Sequence, residues 1–145
     1  MNKKDENILN ELKKNSRLTT SQIAKKTNIP ITTVHNRIKK LDGSIIKKFT
    51  IDIDYEKLGL PLTGYILVSA FNILPNGKHV HQEDIAKKIK KYDFVEAVEI
   101  ITGDFDMLVK LRVESMNSLN KIITEHIRQV EGVDKTKTLM VMKEV

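Results

Sequence analysis

Apolar residues recur at helical spacing through the first third of the chain. Ile8, Leu9 and Leu12 form one stripe of a helix expected over Lys4–Lys14, with Asp5 and Glu6 in the first turn, where carboxylates complement the helix dipole. Thr19 followed three residues later by Gln22 is a capping-box pair, so a second helix starts at Thr20 with Ile23 and Ala24 inward. Asn28 stands at its end, and Asn is the non-glycine residue that best tolerates the left-handed backbone of a helix stop. Pro30 opens a third helix, whose Val34, Ile38 and Leu41 fall at i, i+4 and i+7. With Leu18 and Ile29 these residues make a three-helix core of about the minimum useful size.

The period then changes. Asp42-Gly43-Ser44 is a turn, and over Ile45–Asp54 Phe49, Ile51 and Ile53 alternate with Lys48, Thr50, Asp52 and Asp54, as in extended chain. Beyond a connecting turn at Tyr55–Pro61, the pattern predicts a strand at Tyr65–Ile73, a polar loop at Pro75–Gln82 and a helix at Glu83–Lys91. Strands at Val95–Ile101 and Met107–Val113 follow, separated by a turn at Thr102–Phe105. One long helix is expected over Ser115–Val130, with Leu119, Ile122, Ile123, Ile127 and Val130 on one face, and a last strand over Val133–Val145 after Gly132. The order β-α-β-β-α-β implies a ferredoxin-like sandwich, two helices on one face of an antiparallel sheet. The fold class is therefore α+β, with a helix-turn-helix module at 1–48, an extended linker at 49–62 and a ferredoxin-like module at 63–145. Tyr65, Leu67, Met107, Val109, Met140 and Met142 are candidates for apolar sheet surface that two helices cannot cover, which favours a symmetric dimer.

Charge sharpens this division. Residues 1–48 hold twelve Lys or Arg against four Asp or Glu, a balance of +8, whereas the remaining 13 positive and 15 negative residues leave −2. A cationic module on a near-neutral one suits a polyanion. The third helix buries its stripe and turns out Thr32, Thr33, His35, Asn36, Arg37, Lys39 and Lys40, with Lys47 and Lys48 just beyond. Thr32, Thr33, His35, Asn36 and Arg37 suit base edges, and Lys39, Lys40, Lys47 and Lys48 suit phosphates of double-stranded DNA. The plain alternative is an amphipathic helix with a solvated basic face.

The remaining chemistry is sparse. The chain has no cysteine, which excludes a disulfide framework and a thiolate metal site. No apolar run approaches membrane-spanning length and no signal-peptide pattern opens the chain, so the expected location is the cytoplasm, at the nucleoid. His79 and His81 have no third ligand at metal spacing, and His126 is expected on a helix surface. No nucleophile–base set or phosphate-binding glycine loop is present, so no enzyme, cofactor or metal is expected.

Several stretches together resemble the Lrp/AsnC, or feast/famine, family of transcription regulators of bacteria and archaea. Asp5 to Leu9 is similar to that family's opening helix, Thr33 to Leu41 to its recognition helix and Ile45 to Thr50 to its extended exit. Gly103-Asp104-Phe105-Asp106 resembles its G-D-[YF]-D turn, and Glu131-Gly132-Val133 with Thr136 and Thr138 its closing segment. The resemblance covers essentially the whole chain. It implies a DNA-binding regulator that dimerises through the C-terminal sheet, often assembles into octamers, and binds a small effector, commonly an amino acid, near the G-D-[YF]-D turn. Carried over, the effector residues are Gly103, Asp104 and Asp106, with Thr136 and Thr138. The chain departs from the family at Pro30, where a serine cap is usual, and in a shorter turn at Gly43-Ser44. By itself the Gly103–Asp106 turn reads as a plain hairpin turn. The functional alternative is an effector-blind DNA-organising protein or constitutive activator, whose C-terminal module serves assembly alone.

Overall fold

The computed structural model describes residues 2–145, which divide into two compact units, one ending at Ile53 and one spanning Asp54–Val145. The first unit contains α1 (Lys3–Lys14), α2 (Thr20–Thr27) and α3 (Ile31–Leu41). Asn2 and Asp5 form a reciprocal capping box on α1, and Thr19 and Gln22 form another on α2, each supplying acceptors for amides that lack helical partners. Asn28 ends α2 with φ +54°, and its amide reaches back to the Ala24 carbonyl. Pro30 precedes α3 and makes no side-chain cap, although its carbonyl accepts from the Val34 amide at 3.0 Å. Ile8, Leu12, Ile23, Ile29 and Val34 form the core, flanked by Leu18, Ala24, Ile38 and Ile46. The segment from Lys47 to Asp54 pairs with no strand and leaves Phe49 and Ile51 exposed.

In the second unit, β1 (Leu62–Ala70), β2 (Val95–Ile100), β3 (Met107–Val113) and β4 (Val133–Met140) form one antiparallel sheet in the order β2-β3-β1-β4. This is the ferredoxin-like order. The helix α4 (Gln82–Lys90) and the stretch beginning with α5 (Met116–Lys121) cover one face. Alternation along β3 buries Met107, Val109, Leu111 and Val113 against Ile85 and Ile89 of α4 and against Leu119, Ile123 and Ile127. Met107 and Val109, expected on open sheet surface, therefore belong to the core. A period of two identifies two faces but not which face the helices take. Tyr65 and Leu67 lie half-buried on the other face. There Glu96 pairs with Lys110 at 3.1 Å and Arg112 at 2.9 Å. Burial would raise the Glu96 carboxyl, but hydrogen bonds and charge from Arg112 and Lys110 hold it below its ordinary range.

Three elements differ from the sequence expectation. The first strand begins three residues earlier, at Leu62, and ends at Ala70, so Phe71 to His81 is loop, with a small bridge between Ile73 and His79. The long helix is not uniform: after Lys121 it widens into a π-type turn over Ile122–His126, then tightens into a 3₁₀ turn over Ile127–Gln129. Three consecutive β-branched residues, Ile122, Ile123 and Thr124, crowd the helix, and the Thr124 hydroxyl donates back to the Asn120 carbonyl at 2.8 Å. His126 consequently packs half-buried against Tyr92 and Phe94, with ring centroids 5.3 and 5.4 Å away, and is not a plain surface residue. The last strand ends at Met140, and Met142 beyond it is fully exposed.

Candidate functional site

The outward face of α3 is built by subtraction. Val34 and Leu41 point into the three-helix core, Ile38 borders it, and the remaining positions must turn outward. Thr32, His35, Asn36, Lys39 and Lys40 are exposed, as are Lys47 and Lys48 after the helix, and Thr33 is half-buried. Hydroxyl, amide and imidazole groups thus occupy the first two turns, and the ammonium groups follow.

Arg37 stands apart from this set. The sequence reading puts it at bases; in the structure the half-buried side chain reaches to α1, where its Nη1 donates to Asp5 Oδ1 at 3.0 Å and Oδ2 at 3.1 Å. The pair ties α3 to the first turn of α1. Burial would raise the Asp5 carboxyl, but the Arg37 hydrogen bond, the Asn2 amide and the Arg37 charge hold it below its ordinary value. Arg37 is therefore a paired cation that braces α3 against α1.

Sequence reasoning also misses a shallow depression of about 320 Å³ at the start of the same face, lined by Thr20 of α2 and by Ile31, Thr32, His35 and Asn36. Ile31 is half exposed there. By spacing it joins the buried stripe, one heptad before Ile38, so no linear signal separates it from core. Only the packing of α2 against α3 leaves it outside.

The Gly103–Asp106 turn joins β2 to β3, with Gly103 at φ +120°, a backbone that side chains rarely adopt. Its two carboxylates are not equivalent. Asp104 is exposed. Asp106 is half-buried: Oδ2 accepts from the Ala70 amide and Oδ1 from Gln82 Nε2, each at 2.7 Å. The side chain thereby clasps the end of β1 to the first residue of α4. Thr136 and Thr138 are on β4, opposite Val68 and Ile66, while Val68 pairs on its other side with Met107. Strand β1 separates the two groups, so Thr136 lies two strand spacings, about 10 Å, from the start of β3. Thr136 instead accepts a hydrogen bond from Arg128 Nε at 3.0 Å. Within one chain, the five effector candidates do not converge on a single point.

Among the described residues no group of three or more His, Asp or Glu side chains could hold a metal ion, and no helix is long and apolar enough to cross a membrane. A capped three-helix unit with an outward polar and cationic helix face, followed by a ferredoxin-like unit, defines a two-module DNA-binding regulator. Residues 73–145 match the Lrp/AsnC ligand binding domain and residues 1–42 match a winged helix-turn-helix DNA-binding domain. The chain belongs to the Lrp/AsnC family of transcription regulators. It is 37% identical to an HTH-type transcriptional regulator of Pyrococcus furiosus over 97% of this chain and 91% of that relative. It is 34% identical to the regulator FL11 of the same organism, over 96% of this chain and 87% of FL11. Among solved structures it is similar to a Neisseria meningitidis transcriptional regulator in complex with L-Met, at TM-score 0.89 and 25% identity, covering all of this chain and 92% of that one. LrpC of B. subtilis is similar at TM-score 0.85 and 25% identity, with coverage of 100% and 96%.

Proposed function

We propose that this regulator reads specific DNA with Thr32, Thr33, His35 and Asn36 at base edges, while Lys39, Lys40, Lys47 and Lys48 neutralise phosphates. The observation that carries this reading is the composition of the exposed face of α3, polar groups first and cations after, on the unit that holds the whole basic excess. Arg37 serves as the strut between α1 and α3. The working species is a homodimer, able to assemble further as far as an octamer, on chromosomal DNA in the cytoplasm. Exposed Phe49 and Ile51 and half-buried Tyr65 and Leu67 supply apolar surface for that association. Two recognition helices related by a two-fold axis call for half-sites one or more helical turns apart. Its activity is binding, without catalysis. Selection from a pool of random duplexes tests the reading: a pseudo-palindrome supports it, and retention of every sequence equally refutes it.

Amino-acid control is the second part of the proposal. It rests on the exposed Asp104 beside Gly103, a carboxylate left open to a ligand ammonium group, and on the L-Met bound by the Neisseria meningitidis relative. Asp106 acts there as the clasp that holds the turn, and Thr136 and Thr138 join only across an assembly interface. Isothermal titration of the protein against the twenty amino acids decides between this reading and an effector-blind DNA-organising or constitutively activating protein.

A further inference from the structure

The base-facing start of α3 is polar except at one point. Ile31, its first residue, is 50% exposed, whereas Val34 and Leu41 of the same helix are buried. Ile31 is not among the residues of the three-helix core. It forms the apolar floor of the depression described above, with the Thr20 and Thr32 hydroxyls, the His35 ring and the Asn36 amide around it. The depression is open and shallow, and it adjoins the side chains assigned to base edges.

We propose that this depression takes the C5 methyl group of a thymine in the major groove, with Ile31 as the residue that recognises it. The inference rests on the DNA-binding reading above and deepens it. On the major-groove edges of the four bases the thymine methyl is the one apolar feature; every other group there is a hydrogen-bond donor or acceptor, or a C–H. An apolar floor framed by hydroxyl and amide groups matches that mixed edge: the floor accepts the methyl while Asn36, Thr32 or Thr20 bonds neighbouring polar atoms. A cytosine at the same place leaves the floor against a bare C–H and also replaces the O4 acceptor by an N4 donor, so deoxyuridine is the base that isolates the methyl. A protein or peptide side chain fits the size, but the surrounding unit carries the whole +8 excess and favours a polyanion.

The test uses the full chain and a duplex selected from a random pool. Each thymine is replaced in turn by deoxyuridine, which removes the methyl and nothing else. The wild type should lose about fourfold in affinity at one thymine of each half-site, the value of one buried methyl-sized group. Ile31→Ala should bind the unmodified duplex about fourfold more weakly per half-site and be indifferent to deoxyuridine at that same position. Placing 5-methylcytosine against cytosine there should restore a preference to the wild type alone. Because Ile31 is half exposed, the variant should melt with the wild type, which circular dichroism verifies. Indifference of the wild type to every deoxyuridine, or equal sensitivity of both proteins, overturns the inference while the DNA-binding reading stands. Failure of the wild type to select any sequence overturns both.

Discussion

Arg37 Nη1 donates to both carboxylate oxygens of Asp5, at 3.0 and 3.1 Å, and so fixes the third helix of the DNA-binding unit to the first. A side chain that by position belongs with the cations of α3 therefore braces that helix against α1. Arg37→Ala should lower the melting temperature of the N-terminal unit and weaken all duplexes, without altering which base is preferred at any position. A change of preference in selection experiments would return Arg37 to the reading face.

The same pair predicts an acid dependence. The Asp5 carboxyl lies below its unfolded value in the folded protein, so the unfolded chain binds the extra proton first. The pair's stabilisation is thus complete above the unfolded carboxylate value, about pH 4, and is lost as pH falls through the lower folded value. Urea denaturation of the wild type and Asp5→Asn should differ at pH 7, and the difference should shrink towards pH 3.

Lys39 is exposed and sits among the proposed phosphate contacts. Lys39→Ala should weaken all sequences alike and flatten the slope of log affinity against log salt by about one unit. Asn36→Ala should instead cost roughly 1–3 kcal/mol at a single base position and leave the slope unchanged. Binding titrations at four salt concentrations distinguish the two.

In the β2–β3 turn, Asp104 and Asp106 should separate cleanly. Asp106→Ala leaves the Ala70 amide and the Gln82 side chain without their acceptor and should cost about 1–3 kcal/mol of stability in thermal or chemical unfolding. Asp104→Asn should be neutral in stability while removing any change that an amino acid makes in oligomer mass or operator affinity. Retention of that response in Asp104→Asn would move the effector site elsewhere.

Gly132 offers a test of packing between the loop before β4 and α4. Its φ is +99°, and a Cβ there would stand 2.6 Å from Ile85 Cδ1 and 3.0 Å from Val80 Cγ1. Backbone strain and overpacking act together, so Gly132→Ala should destabilise by on the order of 3 kcal/mol. Calorimetry of the two proteins measures it directly.

The order of elements is a property of the linear chain. Capping pairs at Thr19–Gln22, the Asn28 stop, the three helical stripes and the alternation through β3 are all local, and each appears in the structure within a residue or two of its expected place. What local pattern cannot contain is the choice among distant partners. Arg37 and Asp5 are 32 residues apart, and Asp106 and Ala70 are 36 apart. In each case a charge that reads as free in sequence is engaged by a partner that only folding brings near. The π-type turn after Lys121 was legible only in part, since the β-branched run is visible but its response depends on packing Ile123 and Ile127 against the sheet. Met107, Val109 and Ile31 show the remaining limit. Spacing sorts apolar residues into faces; which face is covered is decided when helices dock, by the area that docking removes from water. Sequence alone thus determined a cationic three-helix unit and a β-α-β-β-α-β unit. Tertiary structure alone decided which of their polar and apolar side chains remain open to DNA or ligand.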